Sequence, residues 1–337
     1  MPSAASNLLY RLKLKDVVVD ALSRLLVLYP VDTALDLRCQ LRAPWREERP
    51  VRQVGEAPYH LVVQGSVRLH VAGHDPIDMQ AGDMVMLPHG SAHGLLSGAT
   101  NEAATAYRTI ESGPVLVKQN GGTGELADIL CGQFKFGVVA RTILMEALPE
   151  IVFVPASSTP ESSALRSLVA LLRGETEAAR PGSHAVVTYL AGALFSLLLR
   201  TWLEQASTTR LGGLLGLLAE PRLRPALQAM LEDPQQSWSL ESLARTCHVS
   251  RATFARLFRA TVGETPGEVL ARTRMTQAAH RLVHGHQAMV DIAESTGYRS
   301  EAAFSRAFKR AFGVGPGQYR RDASPREAAQ SGDTAVP

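Results

Sequence analysis

The stretch VDIAESTGYRSEAAFSRAFKRAFGVGP, from Val290 to Pro316, repeats the pattern of SLESLARTCHVSRATFARLFRATVG, from Ser239 to Gly263. Each predicts a helix, a tight polar turn and a second helix, and Ser250 is placed to cap the second helix of the earlier copy. The offset between the copies is 49 residues through the first helix and 50 from the serine onward. An internal repeat of one supersecondary unit indicates two helix-turn-helix units.

The second helix of each unit has an apolar side and a basic side. Its apolar stripe consists of Phe254, Leu257 and Phe258 in the first copy, and of Phe304, Ala307 and Phe308 in the second. The basic side chains on the other side are Arg251, Arg256, Arg259, Arg306, Lys309 and Arg310. An α-helix fits the major groove of DNA, where an Arg fork reads guanine and neighbouring side chains hold phosphates. The repeat therefore predicts a double-stranded DNA partner.

The charge distribution supports that partner. The 337-residue chain has a net charge of only +3, but the segment from Arg222 to Arg321 holds 15 Lys and Arg against 8 Asp and Glu, which gives +7. Such asymmetry between parts of one chain is typical of a segment that meets a polyanion.

The last 100 or so residues resemble the AraC/XylS family of bacterial transcriptional regulators. The most specific stretch runs from Ile292 to Arg321, and the segment from Pro266 to Val283 looks like the helix that joins the two units in that family. The resemblance implies that both second helices enter successive major-groove segments on one face of the duplex. The positions it turns toward bases are Ala252, Ala255, Arg256, Glu301, Ala302, Ser305 and Arg306. Because alanine replaces larger polar residues at 252 and 255, the first unit is expected to read DNA through Arg256, methyl contacts and backbone shape.

The front of the chain is rich in short β-type runs between turns, which predicts an antiparallel barrel or sandwich. The run from Gly82 to His93 resembles the second signature motif of cupins, whereas the first motif is reduced to YHLVVQG with His60. Residues 16–154 resemble the cupin-type sensor domain of one branch of AraC-like regulators, some of which respond to oxidants. The stretches that carry this resemblance are Leu22–Leu26, Ala43–Trp45, Tyr59–Gly65, Gly82–His93 and Cys131–Gly132.

Two candidate sites follow in the front domain. His60, His93 and Cys131, with His89 as a weaker fourth, form a ligand set that suits Zn²⁺. The alternative is that His89 and His93 are polar turn residues and His60 is a core histidine. Cys39 and Cys131 are either inert buried thiols or a redox pair that an oxidant converts into a signal. Cys247 ends the first helix of the first repeat, where packing is expected.

The fold class expected is α+β, with a cupin-like β-barrel or sandwich, a helical linker and an all-α double helix-turn-helix domain. A leading helix, Asp16 to Leu28, is expected to pack against the sheet. The run from Ala185 to Leu199, about 15 residues, is expected to be a buried helix too short to span a bilayer, which either joins the core or forms a dimer interface. The expected parts are an extension (1–15), a sensor domain (16–154), a coupling and dimerisation segment (155–220), a DNA-binding domain (221–321, with units at about 239–260 and 289–312) and a disordered tail (322–337).

The function expected is that of a sequence-specific transcriptional regulator, most simply an activator, controlled by a small molecule, metal or oxidant in the barrel. Its expected partners are double-stranded DNA, RNA polymerase if it activates, and a second copy bound through residues 160–220, with no membrane and a cytoplasmic location. The alternatives are a metal-dependent cupin enzyme fused to a DNA-binding domain and a front domain that only dimerises. The usual His-x-His and Glu set is missing and other catalytic motifs are lacking in the sequence, so no enzyme is expected.

Overall fold

The computed structural model describes residues 19–97, 106–156, 162–178, 180–205, 211–285 and 287–323. They divide into two compact units, one spanning Tyr29–Glu220 and one that joins Met1–Leu28 to Pro221–Pro337. The extension predicted at 1–15 and the tail beyond Ala323 lie outside the described residues. Asp322, expected to open that tail, instead lies in the last helix, Pro316–Ala323.

Helix α1 (Ala21–Leu28) corrects one expectation. It belongs to the second unit rather than packing against the sheet. Its periodic apolar residues predicted a helix with one buried face, and Ala21 and Leu25 are indeed buried, but the pattern carries no information about which partner covers that face.

The first unit is built on two β-sheets. Its strands are β1 (Val31–Arg42), β2 (Arg46–Arg49), β3 (Glu56–Gln64), β4 (Ser66–Val71), β5 (Ile77–Gln80), β6 (Met84–Met86), β7 (His93–Leu96), β8 (Tyr107–Ser112), β9 (Val115–Asn120), β10 (Leu126–Phe136) and β11 (Val152–Val154). One sheet has the order β11-β6-β3-β10-β1-β9-β8 and the other β2-β7-β4-β5. Strand β1 runs parallel to β9 and antiparallel to β10. One buried cluster takes side chains from both sheets, which confirms the cupin-like barrel or sandwich.

Helices follow strand β10 in this unit, the first of them before β11 and the others after it. They are α2 (Val138–Ile143), α3 (Ser162–Glu177), α4 (Ser183–Gln205) and α5 (Gly213–Ala219). Helix α4 has 23 residues, longer than expected, and within the described chain it is the one helix whose length and composition would let it cross a membrane. It packs on β1 and β11, and the Phe195 ring lies 4.8 Å from the ring of Phe134 in β10. Its buried face is thus part of the core of the first unit.

The second unit is helical. Besides α1 it contains α6 (Arg224–Glu232), α7 (Leu240–Thr246), α8 (Arg251–Val262), α9 (Pro266–His284), α10 (Met289–Ser295), α11 (Glu301–Phe312) and α12 (Pro316–Ala323). Helix α1 packs on α6 and α9. The side-chain amide of Gln228 donates to the Val19 carbonyl at 2.8 Å, and the Arg24 guanidinium lies 3.3 Å from the Glu232 carboxylate. The all-α architecture expected for the carboxyl-terminal part is confirmed.

Candidate functional site

The first helix-turn-helix unit is formed by α7 and α8. Ser239 begins α7 with a capping box, in which its side chain accepts from the Ser242 amide, and the Ser250 side chain caps α8 by accepting from the Thr253 amide at 3.2 Å. Between the helices, His248 adopts the left-handed conformation with φ of 54°. Phe254 and Phe258 are fully buried, with ring centroids 5.4 Å apart. This packing fixes which side of α8 faces solvent.

The second unit, α10 and α11, follows the same plan. Ser300 caps α11 by accepting from the Ala303 amide at 3.2 Å, and Gly297 takes the left-handed turn position with φ of 81°. Phe304 and Phe308 are fully buried, as their counterparts in α8 are. Gly313 ends α11 in the left-handed conformation, as Gly263 ends α8. The repeat seen in the sequence is therefore a repeat of the same backbone path.

The predicted DNA contacts lie on the accessible sides of α8 and α11. The exposed ones are Arg251, Ala252, Arg256, Arg259, Glu301, Ala302, Arg306, Lys309 and Arg310, while Ala255 and Ser305 are half-buried. Arg256 and Arg306 thus lie opposite the phenylalanines that hold their helices. Two exposed helix faces rich in arginine can supply both forks for base edges and charges for phosphates.

Inside the barrel, four of the predicted site residues come together from four strands. Cys39 lies on β1, His60 on β3, His93 at the start of β7 and Cys131 on β10, and all four are at most 6% exposed. Cys131 lies directly opposite His60 in the pairing of β10 with β3. On its other side Cys131 pairs with Leu37, while Cys39 pairs with Ile129, which makes the two cysteines diagonal neighbours.

The polar atoms of this cluster form a chain of hydrogen bonds. His93 Nδ1 lies 2.8 Å from the Ser91 carbonyl, which only accepts, so this nitrogen carries a proton. In neutral rings His93 Nε2 then accepts from His60 Nε2, 2.7 Å away, and His60 Nδ1 is left as an acceptor 3.1 Å from Cys131 Sγ. Burial lowers the pKa of His60 well below its usual range, and the neighbouring His93 adds to this, in keeping with neutral rings.

Cys39 and Cys131 are in different electrostatic surroundings. The Arg49 guanidinium lies 3.7 Å from Cys39 Sγ. Interaction with the neighbouring Cys131 thiol lowers the pKa of Cys39, against the effect of burial, and Arg49 lowers it further. The same interaction, together with burial, raises the pKa of Cys131. Cys39 is thus the thiol of the pair that ionises first.

Arg49 was missed in the sequence analysis, although a signal for it exists. Trp45, Glu47 and Arg49 alternate along the entry to β2, and alternate residues of a strand share one face. Glu47 is 6% exposed and lies 2.7 Å from the Lys118 ammonium and 3.5 Å from Arg49. Charged residues at alternate positions of a barrel strand indicate a polar patch within the barrel.

The predicted zinc ligands do not converge on one point. His60 directs one ring nitrogen toward Cys131 and the other toward His93, while His89 Nε2 lies 3.0 Å from the Leu148 carbonyl. Over the residues that the structure describes, no group of three His, Cys, Asp or Glu side chains is arranged to hold a metal ion. A zinc site needs its donors around one centre at about 2.0–2.3 Å, so this arrangement does not fit one.

Behind the cysteines, a buried ion pair ties the same two strands to a helix. Arg38, next to Cys39 on β1, donates from Nε to the Asp128 carboxylate of β10 at 2.8 Å, and both side chains are 3% exposed. The same guanidinium reaches the Glu177 carboxylate at 2.8 Å, at the last residue of α3. This contact joins the strands that carry the cysteines to a helix that covers the barrel.

Comparison with known proteins agrees with both units. The cupin family model matches residues 20–204, and a helix-turn-helix domain model matches residues 243–322. The chain is 35% identical over 303 residues to RclR of Escherichia coli, described as an RCS-specific HTH-type transcriptional activator, covering 90% of this chain and 97% of that protein.

Two further relatives are similar over more than three quarters of this chain. A putative AraC-like transcription regulator of Streptomyces lividans is 36% identical over 267 residues, covering 78% of this chain and 86% of that protein. The HTH-type transcriptional regulator MtrA of Neisseria gonorrhoeae is 30% identical over 305 residues, covering 90% of this chain and 99% of that protein. The similarity extends through both units of the fold.

Proposed function

This chain belongs to the AraC-like transcriptional regulators that join a cupin domain to a helix-turn-helix domain, and from that premise we propose that an oxidant sensed by Cys39 and Cys131 controls its action on DNA. The observation that carries the proposal is the buried cluster in the barrel, where an arginine lies 3.7 Å from one of two neighbouring thiols. DNA binding itself follows from the family and from the two basic helix faces.

The oxidation step uses both thiols. The Cys39 thiolate attacks the electrophilic atom of a two-electron oxidant, which is an oxygen of a peroxide or the halogen of a hypohalous acid, and the bond from that atom to the leaving group breaks with its electron pair on the leaving group. A peroxide gives a sulfenic acid at Cys39 directly, whereas a hypohalous acid gives a sulfenyl halide that water hydrolyses to the sulfenic acid and a hydrogen halide. The sulfur of Cys131 displaces the hydroxyl, which leaves as water with the Cys131 proton, and a disulfide remains. The description of the Escherichia coli relative as RCS-specific supports an oxidant as the signal.

A disulfide at this place would require movement of the sheet. Cys39 and Cys131 are diagonal rather than directly opposite across β1 and β10. A disulfide needs Cβ atoms about 3.5–4.5 Å apart, whereas diagonal neighbours in a sheet lie several ångströms further apart. Closing that gap displaces β1 along β10, and the Arg38 contact with Glu177 passes the displacement to α3.

The test uses single and double Cys→Ser variants at positions 39 and 131 in a transcription reporter treated with hypochlorite. Either single variant should abolish disulfide formation, as measured by mass spectrometry of trapped thiols, and the double variant should lose induction. Cys247→Ser is the matched control, since Cys247 is also buried but lies in the second unit. Full induction of the double variant would refute the redox mechanism while leaving DNA binding intact.

Zinc is the other occupant that the cluster suggested. Metal analysis of protein purified without added metal distinguishes the two mechanisms. We expect less than stoichiometric zinc, because the ring nitrogens of His60 face different partners. Stoichiometric zinc that is lost in a His60→Ala variant would make the histidines ligands instead.

The remaining parts of the proposal concern partners. We propose that the protein is an activator that contacts RNA polymerase in the bacterial cytoplasm and that its barrel senses rather than catalyses, since its relatives are named as transcriptional regulators, one of them as an activator. We also propose a homodimer through residues 160–220, where Leu171 is 58% exposed and Tyr189 is 61% exposed. Apolar side chains exposed on packed helices are typical of an interface. Sedimentation of the Tyr189→Glu variant should show dissociation to monomer, and an unchanged dimer would place the interface elsewhere.

A further inference from the structure

Arg274 of helix α9 contacts the chain segment that leads into the first helix-turn-helix unit. Its Nε donates to the Pro234 carbonyl at 2.6 Å, and its Nη2 donates to the Gln236 carbonyl at 3.1 Å. These carbonyls lie between α6 and α7, three to five residues before the cap of α7 at Ser239. One guanidinium therefore holds the entrance to the first unit against the helix that joins the two units.

The same guanidinium lies against the turn of the second unit. A Cβ atom built on Gly297 would be 3.0 Å from Arg274 Cζ and 3.1 Å from the Gln235 carbonyl oxygen. A side chain at position 297 would press on both groups, which shows that the turn backbone lies close against the Arg274 guanidinium and the Gln235 carbonyl. Three segments meet at Arg274: the loop before the first unit, the joining helix and the turn of the second unit.

Arginine suits this position for a geometric reason. Its guanidinium is planar and presents donors in fixed directions, so it can hold several carbonyls in one arrangement. Arg274 is half-buried, and this burial lowers its pKa, yet a guanidinium remains charged at physiological pH. Charge-assisted hydrogen bonds to backbone carbonyls are stronger than neutral ones and hold backbone rather than flexible side chains.

We propose that Arg274 is a positioning residue for DNA binding, which fixes the separation of α8 and α11 so that both helices engage one duplex. Two linked modules bind more tightly than either alone only if their geometry allows both to engage at once. Without the hydrogen bonds of Arg274, each unit keeps its own reading helix, but the two helices lose their fixed spacing. Loss of Arg274 should therefore weaken DNA binding that uses both units and leave binding by one unit unchanged.

The test measures binding of the full-length protein to duplexes selected from a random pool by the wild-type protein. A box is the set of base pairs that one helix-turn-helix unit contacts. Three probes are needed: the selected duplex with both boxes, duplexes with either box replaced by unrelated sequence, and a series with base pairs inserted or removed between the boxes. Arg274→Gln should weaken binding to the two-box duplex about tenfold or more and leave each single-box duplex within about twofold. The affinity of this variant should depend less on the number of base pairs between the boxes than the affinity of the wild-type protein does.

Arg272→Gln is the matched control. Arg272 lies on the same helix and loses the same charge, but its guanidinium contacts Glu264, with Nη1 2.7 Å from Oε1. It should keep the spacing preference of the wild-type protein. Arg274→Lys, which retains the charge without the planar fork, serves if Arg274→Gln is poorly folded, and a thermal melt of each variant establishes folding.

The outcomes separate this proposal from DNA binding itself. Equal loss on two-box and single-box duplexes would overturn the positioning role and make Arg274 a structural or phosphate-binding residue. An unchanged spacing preference in a folded variant would also overturn it. A wild-type protein that selects no duplex would contradict DNA binding, and that failure appears before any variant is compared.

Discussion

At the scale of single residues, the two helix-turn-helix units differ at the turn. His248 and Gly297 occupy corresponding positions, with φ of 54° and 81°. The left-handed conformation costs a residue with a side chain about 1–2 kcal/mol, while glycine loses about 0.5–1 kcal/mol of chain entropy. We therefore expect His248→Gly to raise the free energy of unfolding by about 0.5–1 kcal/mol.

The reverse change, from glycine to a residue with a side chain, should lower the free energy of unfolding. Gly297→Ala places a Cβ 3.0 Å from the Arg274 guanidinium in a conformation that alanine avoids. Thermal melts of the two variants should shift in opposite directions. A His248→Gly variant that melts below the wild-type protein would show that the imidazole makes compensating contacts.

Arg306 tests whether the exposed face of α11 reads bases. Arg306→Ala should relax preference at one base pair and cost about 1–3 kcal/mol there, because a bidentate contact to guanine is lost. Arg310→Ala, also on α11, should weaken binding evenly across sequences and reduce the salt dependence by about one ion. Binding measured on a panel of single-base variants of the selected site distinguishes these patterns. An even loss for Arg306→Ala would make it a phosphate contact.

At the scale of secondary-structure elements, the Arg38–Asp128 pair should contribute strongly to the attachment of β1 to β10. Removing Arg38 leaves the buried Asp128 carboxylate without its partner, so Arg38→Ala should cost about 3–5 kcal/mol. Asp128→Ala should cost less because Arg38 keeps its contact with Glu177, and a double change to leucine should also cost less. Denaturant unfolding measures these differences. The Arg68–Asp78 pair is the matched control, since it joins two strands by the same fork of hydrogen bonds but is exposed. A similar effect at both pairs would argue against burial as the cause.

Helix α1 provides a second test at this scale. Leu25→Ala should cost about 2–5 kcal/mol, because Leu25 is fully buried in the second unit. Hydrogen exchange should accelerate in α6 and α9, against which α1 packs, and not in the barrel strands. Leu22→Ala makes the same truncation at a half-buried position of α1 and should have a smaller effect. Faster exchange in the barrel strands would mean that α1 belongs with the sheet after all.

At the scale of the whole molecule, the sequence predicted features that depend on local repetition. The duplicated helices, the Ser250 cap with its counterpart Ser300, and the exposed arginines follow from spacing along the chain, and the structure has them. His60, His93 and Cys131 were grouped as zinc ligands on the cupin resemblance, and Cys39 with Cys131 as a redox pair or as inert thiols; the structure places these four side chains in one barrel. The local sequence pattern does not show which partner a side chain or an apolar helix face points toward. Which ring nitrogen of His60 faces which partner, and which helices cover Leu25, depend on contacts between distant segments.

The position of α1 also bears on how the chain is made. Arg24 and Glu232 are 208 residues apart along the chain. At about 5–20 residues per second, a ribosome takes roughly 10–40 seconds to produce the partner helix after α1 has been synthesised. During that time the whole Tyr29–Glu220 unit leaves the ribosome and is free to fold, while the helices that pack on the apolar side of α1 have not yet been synthesised. Among the helices that the structure describes, α1 is thus the first to be synthesised, yet it packs in its place only when the carboxyl-terminal helices have left the ribosome.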